Sequence, residues 1–238
     1  MRVGIVSDIH GNWEALSAVS SALEKERVEE VWCLGDIVGY GPDPQECIKW
    51  VKQNCRLTVC GNHDKAVCRE EEATFFNHIA RKAIMWTCEQ LSEEEIRFLD
   101  SLPYTISLGE ILLVHSSPES PRSWGYILNE WDAERAFENC EERLIFVGHT
   151  HRPQAYEYRA GEALRSEFPV TIKLNIRYLI NPGSVGQPRD RDPRASFGIL
   201  EDETFRLLRV EYDIEKTQAK MYERGLPEHL AKRLEIGA

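Results

Sequence analysis

Positive charge is scarce in this 238-residue chain: 29 Lys and Arg stand against 40 Asp and Glu, a formal net charge of −11 at pH 7. A field of that sign repels a long polyanion unless a basic patch overrides it, so binding of long nucleic acid is not expected. No stretch approaches 18 uninterrupted apolar residues, and the opening MRVGIVSDIHGN has neither a basic n-region nor a cleavage site. A membrane span and a secretory leader are therefore not expected. The 7 cysteines are odd in number and include no CxxC pair, which reads as a reduced, cytoplasmic protein whose cysteines, such as Cys33 and Cys60, are small core residues. Histidine is sparse as well, at 7 residues, yet five of these stand in or beside short Gly, Asp and Asn clusters.

What is present is enough for a packed core. Hydrophobic residues make up 42% of the chain, with 6 Trp, 8 Tyr and 8 Phe, so disorder is excluded as the main state. The length fits a single domain over 1–238, with 213–238 a C-terminal helical extension. Val3 to Ser7, Val31 to Leu34 and Arg56 to Cys60 are strand-like runs. Between the first two, Asn12 is placed to cap a helix with the stripe Ala15, Leu16, Val19, Ala22 and Leu23. Asp43 and Pro44 open a second helix through Ile48 and Val51. This alternation implies right-handed crossovers and parallel strands, with ligands bound outside the carboxyl ends of the strands.

From Thr74 to about Leu102 the pattern is helical, with Phe75, Phe76, Ile79, Ala83 and Ile84 periodic and Ser92 and Glu95 forming a capping box. Tyr104 to Leu108 and Ile111 to His115 flank a Gly109-Glu110 turn, as in a hairpin. Strand-like pieces follow at 143–147, 154–159, 170–174, 177–180, 195–200 and 204–212, and then an amphipathic helix over 213–235 interrupted at Gly225-Leu226-Pro227. The expected architecture is two packed sheets with helices outside them.

Each of the first three strands ends in a polar cluster: Asp8 and His10, then Asp36, then Asn62, His63 and Asp64. His115 ends a later strand, and His149 and His151 follow Val147 in GHTH. Taken singly, a strand-end Asp reads as a turn former or helix cap, and a lone His as a satisfied structural residue. Independent structural roles do not explain five histidines at strand ends together. Two facing metal ions do, because imidazole suits first-row metals, carboxylates suit harder ones, and one carboxylate can bridge two ions. On a strand His149 and His151 would point to opposite sides, so a turn is expected to carry them.

In order, the blocks Asp8-Ile9-His10, Gly35-Asp36, Gly61-Asn62-His63-Asp64, His115 and Gly148-His149-Thr150-His151 resemble the five-block signature of the calcineurin-like metallophosphoesterases over residues 1 to about 200. The resemblance implies a four-layer αββα sandwich of two mixed sheets flanked by helices. It implies one metal held by Asp8, His10, the bridging Asp36 and His151, and a second held by Asp36, Asn62, His115 and His149. His63 matches the family's non-ligand catalytic histidine, with Asp64 orienting it and favouring its protonated form. The implied chemistry is in-line attack on a phosphoryl group by a hydroxide between two divalent ions, with His63 as general acid or charge stabiliser. Manganese is the first expectation, with iron, zinc and nickel open.

The stretch GDIVGYGPDP lacks the arginine that protein phosphatases carry in GDxVDRG, which counts against a phosphoprotein substrate. It looks like the small bacterial and archaeal phosphodiesterase branch, so a small phosphodiester or nucleotide substrate is expected. A dinucleoside polyphosphate hydrolase and a phosphomonoesterase are the alternatives, and a non-catalytic metal-binding scaffold is the alternative from another class. Asn12 is a candidate phosphate donor or a helix cap, and Tyr40 a base-stacking or a core residue. Arg189 is a candidate phosphate clamp or one member of a surface ion-pair group with Asp190, Arg191, Asp192 and Arg194. The C-terminal helix reads as structural or as a dimer contact, and a homo-oligomer is left open.

Overall fold

A computed structural model describes residues 1–74 and 76–238. The chain opens with β1 (Arg2–Val6), α1 (Trp13–Lys25), β2 (Glu30–Cys33), α2 (Pro44–Asn54) and β3 (Cys55–Thr58). Four helices follow, α3 (Asn62–Cys68), α4 (Glu70–Ala73), α5 (His78–Gln90) and α6 (Glu93–Ser101), and then β4 (Thr105–Leu108) and β5 (Ile111–Val114). Next come α7 (Glu130–Glu138), β6 (Leu144–Phe146), β7 (Pro153–Arg159), β8 (Glu162–Ser166), β9 (Val170–Thr171) and β10 (Arg177–Pro182). The chain closes with β11 (Ala195–Glu201), β12 (Thr204–Val210), α8 (Ile214–Glu223) and α9 (Glu228–Lys232).

The strands form two six-stranded mixed sheets, in the orders β3-β2-β1-β11-β12-β9 and β4-β5-β6-β10-β7-β8. The expected parallel pairing of β1 with β2 and of β2 with β3 holds, and β5, β6 and β10 are parallel in the second sheet. Side chains alternate across each strand. Val3, Ile5, Trp32, Leu113, Phe146, Ile180 and Phe205 fill the space between the sheets. The opposite faces, with Val6 and Cys33 in one sheet and Ile145 and Leu179 in the other, pack against α1 and α2 and against α7. The result is the expected arrangement of two sheets between helical layers.

Several boundaries differ from the sequence pattern. The helical stretch begins at His78, where Asn77 accepts the Ala80 amide as cap; Phe75 lies outside the described residues. The Ser92–Glu95 capping box forms as expected. The strand expected over 170–174 is reduced to Val170–Thr171, and α7 and β8 carry no expectation. Asp43 precedes α2 but makes no capping bond, because its carboxylate pairs instead with Lys220 and Arg224. The C-terminal segment breaks at Gly225 as expected; α8, α9 and the turns that follow each of them pack Met221, Leu226, Leu230 and Leu234 against Tyr40 and α5.

Candidate metal centre

The clustered residues meet where the carboxyl ends of β1, β2, β3, β5 and β6 come together. Five of them, Asp8, His10, Asp36, His149 and His151, have φ between 51° and 69°. That left-handed conformation costs a non-glycine residue roughly 1–3 kcal/mol and tends to cluster at functional sites. Backbone bonds hold these turns against one another: Asp8 N to Gly35 O at 3.0 Å, His10 N to Asp36 O at 2.9 Å and Arg189 N to His151 O at 3.1 Å. Gly61 is required by contact, since a Cβ there would lie 2.0 Å from Asp36 Oδ1. Gly39, at φ +105°, brings the GYG turn against His63, and a Cβ there would lie 2.4 Å from its Nδ1. His149 and His151 lie on a turn beyond β6, as expected.

The imidazole tautomers follow from their partners. A carbonyl only accepts, so the nitrogen facing it carries the proton. His10 Nδ1 meets Val38 O at 3.1 Å, His115 Nδ1 meets Leu34 O at 2.7 Å, His151 Nδ1 meets Gln187 O at 2.6 Å and His149 Nε2 meets Trp124 O at 2.9 Å. The opposite nitrogens converge on buried oxygens: His151 Nε2 lies 3.3 Å from Asp8 Oδ1, while His10 and His115 Nε2 lie 3.6 and 3.3 Å from Asp36 Oδ2. His10 and His151 Nε2 stand 3.1 Å apart. With both rings neutral, two lone pairs face each other there, an arrangement that a cation between them relieves. Asp36 Oδ2 is buried without a hydrogen-bond partner, so an acceptor is left over at the same place.

Charge agrees with these contacts. Burial pushes His10 and His151 well below their ordinary range and His149 down to about 3, so all three rings are neutral at pH 7. His115 is the exception: burial alone would lower it, but Asp36 and Asp8 outweigh burial and raise it to about 9. Asp8 is raised by burial to about 6. Burial would raise Asp36 too, but His115, His63 and His10 together hold it well below the usual carboxylate range.

Two groups of side chains could each hold an ion: Asp8, His10, Asp36 and His151, and Asp36, His115 and His149. Within each group the donor atoms lie within 4.8 Å of one another, and Asp36 belongs to both. Asn62, whose Oδ1 is 3.2 Å from His115 Nε2, adds an oxygen to the second group. Nitrogen and carboxylate donors of this kind suit a divalent metal, and the orphaned Asp36 oxygen and the facing His10 and His151 nitrogens fit one.

The expected role of Asp64 needs correction. Its carboxylate does not orient His63: Oδ1 accepts the amides of Ile37 and Val38 at 2.9 and 3.2 Å, and Oδ2 accepts that of Gly61 at 2.9 Å. Asp64 therefore ties the Asp36 loop to the start of α3. Burial lowers His63 to about 4, so the ring is neutral in the metal-free site. It packs against Tyr40 and Phe76, at centroid distances of 4.4 and 4.7 Å, and its buried Nδ1 has no partner.

Asn12 is engaged by the fold. It accepts the Ala15 amide as the cap of α1 and donates to Gly186 O at 2.9 Å, so the helix-cap role is the one its contacts display. Tyr40 is 9% exposed and packs on His10 at 4.6 Å, which favours the core role over base stacking. Arg189 stays out of the expected surface ion pairs, because Asp192 is taken by Arg194 and Asp190 by Arg209.

A cavity of about 760 Å³ opens over these residues. Phe76, Arg122, Trp124, Tyr126 and Arg233 line it together with Arg189, and none of those five is singled out by a sequence motif. The Tyr126 ring stacks on His149 at 4.0 Å, and Arg122 stacks on Tyr104 at 4.8 Å.

Comparison with known proteins agrees with this architecture. The chain is 42% identical to a metallophosphoesterase from Sphaerobacter thermophilus, with a TM-score of 0.89 and full coverage of both chains. It is 39% identical to the uncharacterized protein MJ0912 of Methanocaldococcus jannaschii, covering 99% of this chain and 98% of that one. A symmetrical bis(5'-nucleosyl)-tetraphosphatase of Aliivibrio fischeri is 27% identical over 148 residues, 60% of this chain and 51% of that protein. Residues 1–204 match the calcineurin-like phosphoesterase superfamily domain, and the chain belongs to that superfamily.

Proposed function

We propose that the protein is a cytoplasmic, single-domain phosphodiesterase for a small phosphodiester. In this proposal Asp8, His10, Asp36 and His151 hold one divalent ion, and Asp36, Asn62, His115 and His149 hold a second. The observation that carries it is the tautomer pattern, in which four imidazoles each donate one nitrogen to a backbone carbonyl and aim the other inward. Metal-binding histidines are commonly oriented by such an outer hydrogen bond. His63 has no such bond at its buried Nδ1, which sets it apart as the ring free to meet substrate. Manganese is the first choice of metal, since mixed imidazole and carboxylate sets accept it.

Bound divalent ions supply a water nucleophile near neutral pH and polarise the phosphoryl oxygens. His63 donates one N–H to a phosphoryl or leaving oxygen, and the charge of an entering phosphate raises its proton affinity, the direction a general acid requires. In this reading the cavity takes both organic groups of the ester, with Phe76 on the wall near His63 and Trp124 and Tyr126 lining it with His149. A diester carries two such groups, whereas a monoester carries one. The seven cysteines are thiols, in keeping with a reducing compartment, and no described helix is long and apolar enough to cross a membrane. A second reading, hydrolysis of dinucleoside polyphosphates, is favoured by the similarity to the bis(5'-nucleosyl)-tetraphosphatase.

With added Mn²⁺ the protein is expected to hydrolyse bis-p-nitrophenyl phosphate faster than p-nitrophenyl phosphate. The variant His63→Ala is expected to lose about 10²–10⁴-fold in kcat while its metal content by elemental analysis stays at the wild-type value. A faster monoester reaction overturns the diester preference, and an unchanged kcat in the variant removes His63 from the chemistry.

A further inference from the structure

The cavity beside the candidate metal centre is lined by Glu72 and by three arginines: Arg122, stacked on Tyr104, and Arg189 and Arg233, for which no ion pair to a carboxylate side chain is found among the described residues. Arg189 follows β10, and Arg233 lies in the 3-10 turn after α9; both line the cavity. The acids next to them in sequence are engaged elsewhere: Asp190 pairs with Arg209, Asp192 with Arg194, and Glu235 accepts from Gln218. Arg189 Nη2 donates to Gln187 Oε1 at 2.9 Å and reaches the Tyr40 hydroxyl at 3.5 Å, while its buried Nε has no partner. Arg233 Nε donates to the main-chain oxygen of Ala238, the last residue of the sequence, so its two Nη groups are the ones left to face the cavity. Burial first, and then the Arg189 charge, lowers the Arg233 guanidinium to about 10.

Such a pair is unfavourable by itself, because two like charges in a partly buried place repel. An anion between them reverses the sign, and the planar fork of a guanidinium matches phosphate oxygens in geometry. The placement is also fixed. Arg189 is bound through its backbone to His151 O, and its charge acts on Asp8, His10, His63 and His151. Arg233 is delivered by the C-terminal helices, which are held to the body of the protein by Lys220 on Glu14 and Asp43 at 2.8 and 2.7 Å.

We propose that Arg189 and Arg233 form a clamp for a second phosphate of the substrate, one that is bound but not attacked. The preferred substrate is then a phosphate ester that carries a further phosphate, and the C-terminal segment selects it. As a place in a reaction the clamp rests on the proposed phosphoesterase activity; as an anion site it does not.

Tripolyphosphate is a suitable probe, used on metal-stripped protein because it chelates divalent ions. Calorimetry is expected to show one tripolyphosphate bound at least about tenfold more tightly than inorganic phosphate. Arg233→Gln and Arg189→Gln are each expected to weaken it by about tenfold or more, with Arg233→Lys falling between them and wild type. In parallel, with Mn²⁺ present, Arg233→Gln is expected to raise the KM of a dinucleoside tetraphosphate about tenfold more than that of bis-p-nitrophenyl phosphate. Equal tripolyphosphate affinity in wild type and Arg233→Gln overturns the clamp, as does tripolyphosphate binding no tighter than phosphate. Intact, Arg233-dependent binding in a protein that hydrolyses no ester supports the clamp and overturns the activity alone.

Discussion

In the proposed metal centre His115 would couple proton binding to metal binding. Its Nδ1 is fixed to Leu34 O at 2.7 Å, and its Nε2 lies 3.3 Å from Asp36 Oδ2. Asp36 and Asp8 raise it to about 9 despite burial, so in the metal-free protein it is charged at pH 7. Because the folded value is raised above the ordinary one near 6.5, the ion pair's contribution to stability is fully present below about pH 6.5 and is lost as pH rises through about 9. A metal held by His115 Nε2 would have to displace that proton. Apparent metal affinity at this position is therefore expected to rise about tenfold per pH unit from 7 toward 9 and to level off above it, with about one proton released per ion. Calorimetry in buffers of different ionisation enthalpy measures the released proton, and an affinity flat across that range counts against His115 as a ligand.

Among the secondary-structure elements, the consequential contact is the seat of α8. Glu14 on α1 and Asp43 before α2 are nearly buried, and Lys220 reaches both, with Lys216 also on Glu14 and Arg224 also on Asp43. Removing the Lys220 charge leaves two desolvated acids with one partner each. Lys220→Met is expected to cost more than the about 1 kcal/mol of an exposed pair and less than the about 3–5 kcal/mol of a fully buried one, since Lys220 is 26% exposed. Urea unfolding gives the magnitude, and limited proteolysis should show earlier cleavage within 213–238. A wild-type urea midpoint and cleavage pattern would mean that the apolar contacts of Met221 and Leu230 seat the helix alone.

The same element shows what a sequence can and cannot convey. β1, β2 and β3 are legible because short apolar runs end abruptly in Asp, Asn and His, and the two groups of converging donors are legible because their residues stand at the ends of these strands and of β5 and β6. The helix α7 is not, because its buried stripe is only Ala133, Ala136 and Phe137 among acids. The edge strand β8 buries Ala163 alone. Asp64 is misread because its partners are backbone amides of the Ile37–Val38 loop, which no side-chain pattern records. Arg233 has no local signal at all: its meaning comes from α8 and α9 folding back over Tyr40.

For the molecule as a whole, the net charge of −11 and the cation-lined cavity act at different ranges. A small phosphate ester inside the cavity lies close to Arg122, Arg189 and Arg233 and feels them with little screening, whereas the outer charge is damped beyond about 8 Å at physiological ionic strength. A long polyanion cannot confine itself to the cavity and must lie along the acidic surface as well. Neutralising many phosphates requires a track of Lys and Arg, and the surface cations here are repeatedly paired, as in Arg2 with Glu201, Lys52 with Glu94 and Arg135 with Glu119. A single-stranded 30-mer is therefore expected to give no gel shift at micromolar protein in about 50 mM salt, conditions that favour electrostatic binding. A shift that weakens with added salt would reveal a basic track along the surface and would widen the substrate class from small esters to nucleic-acid strands.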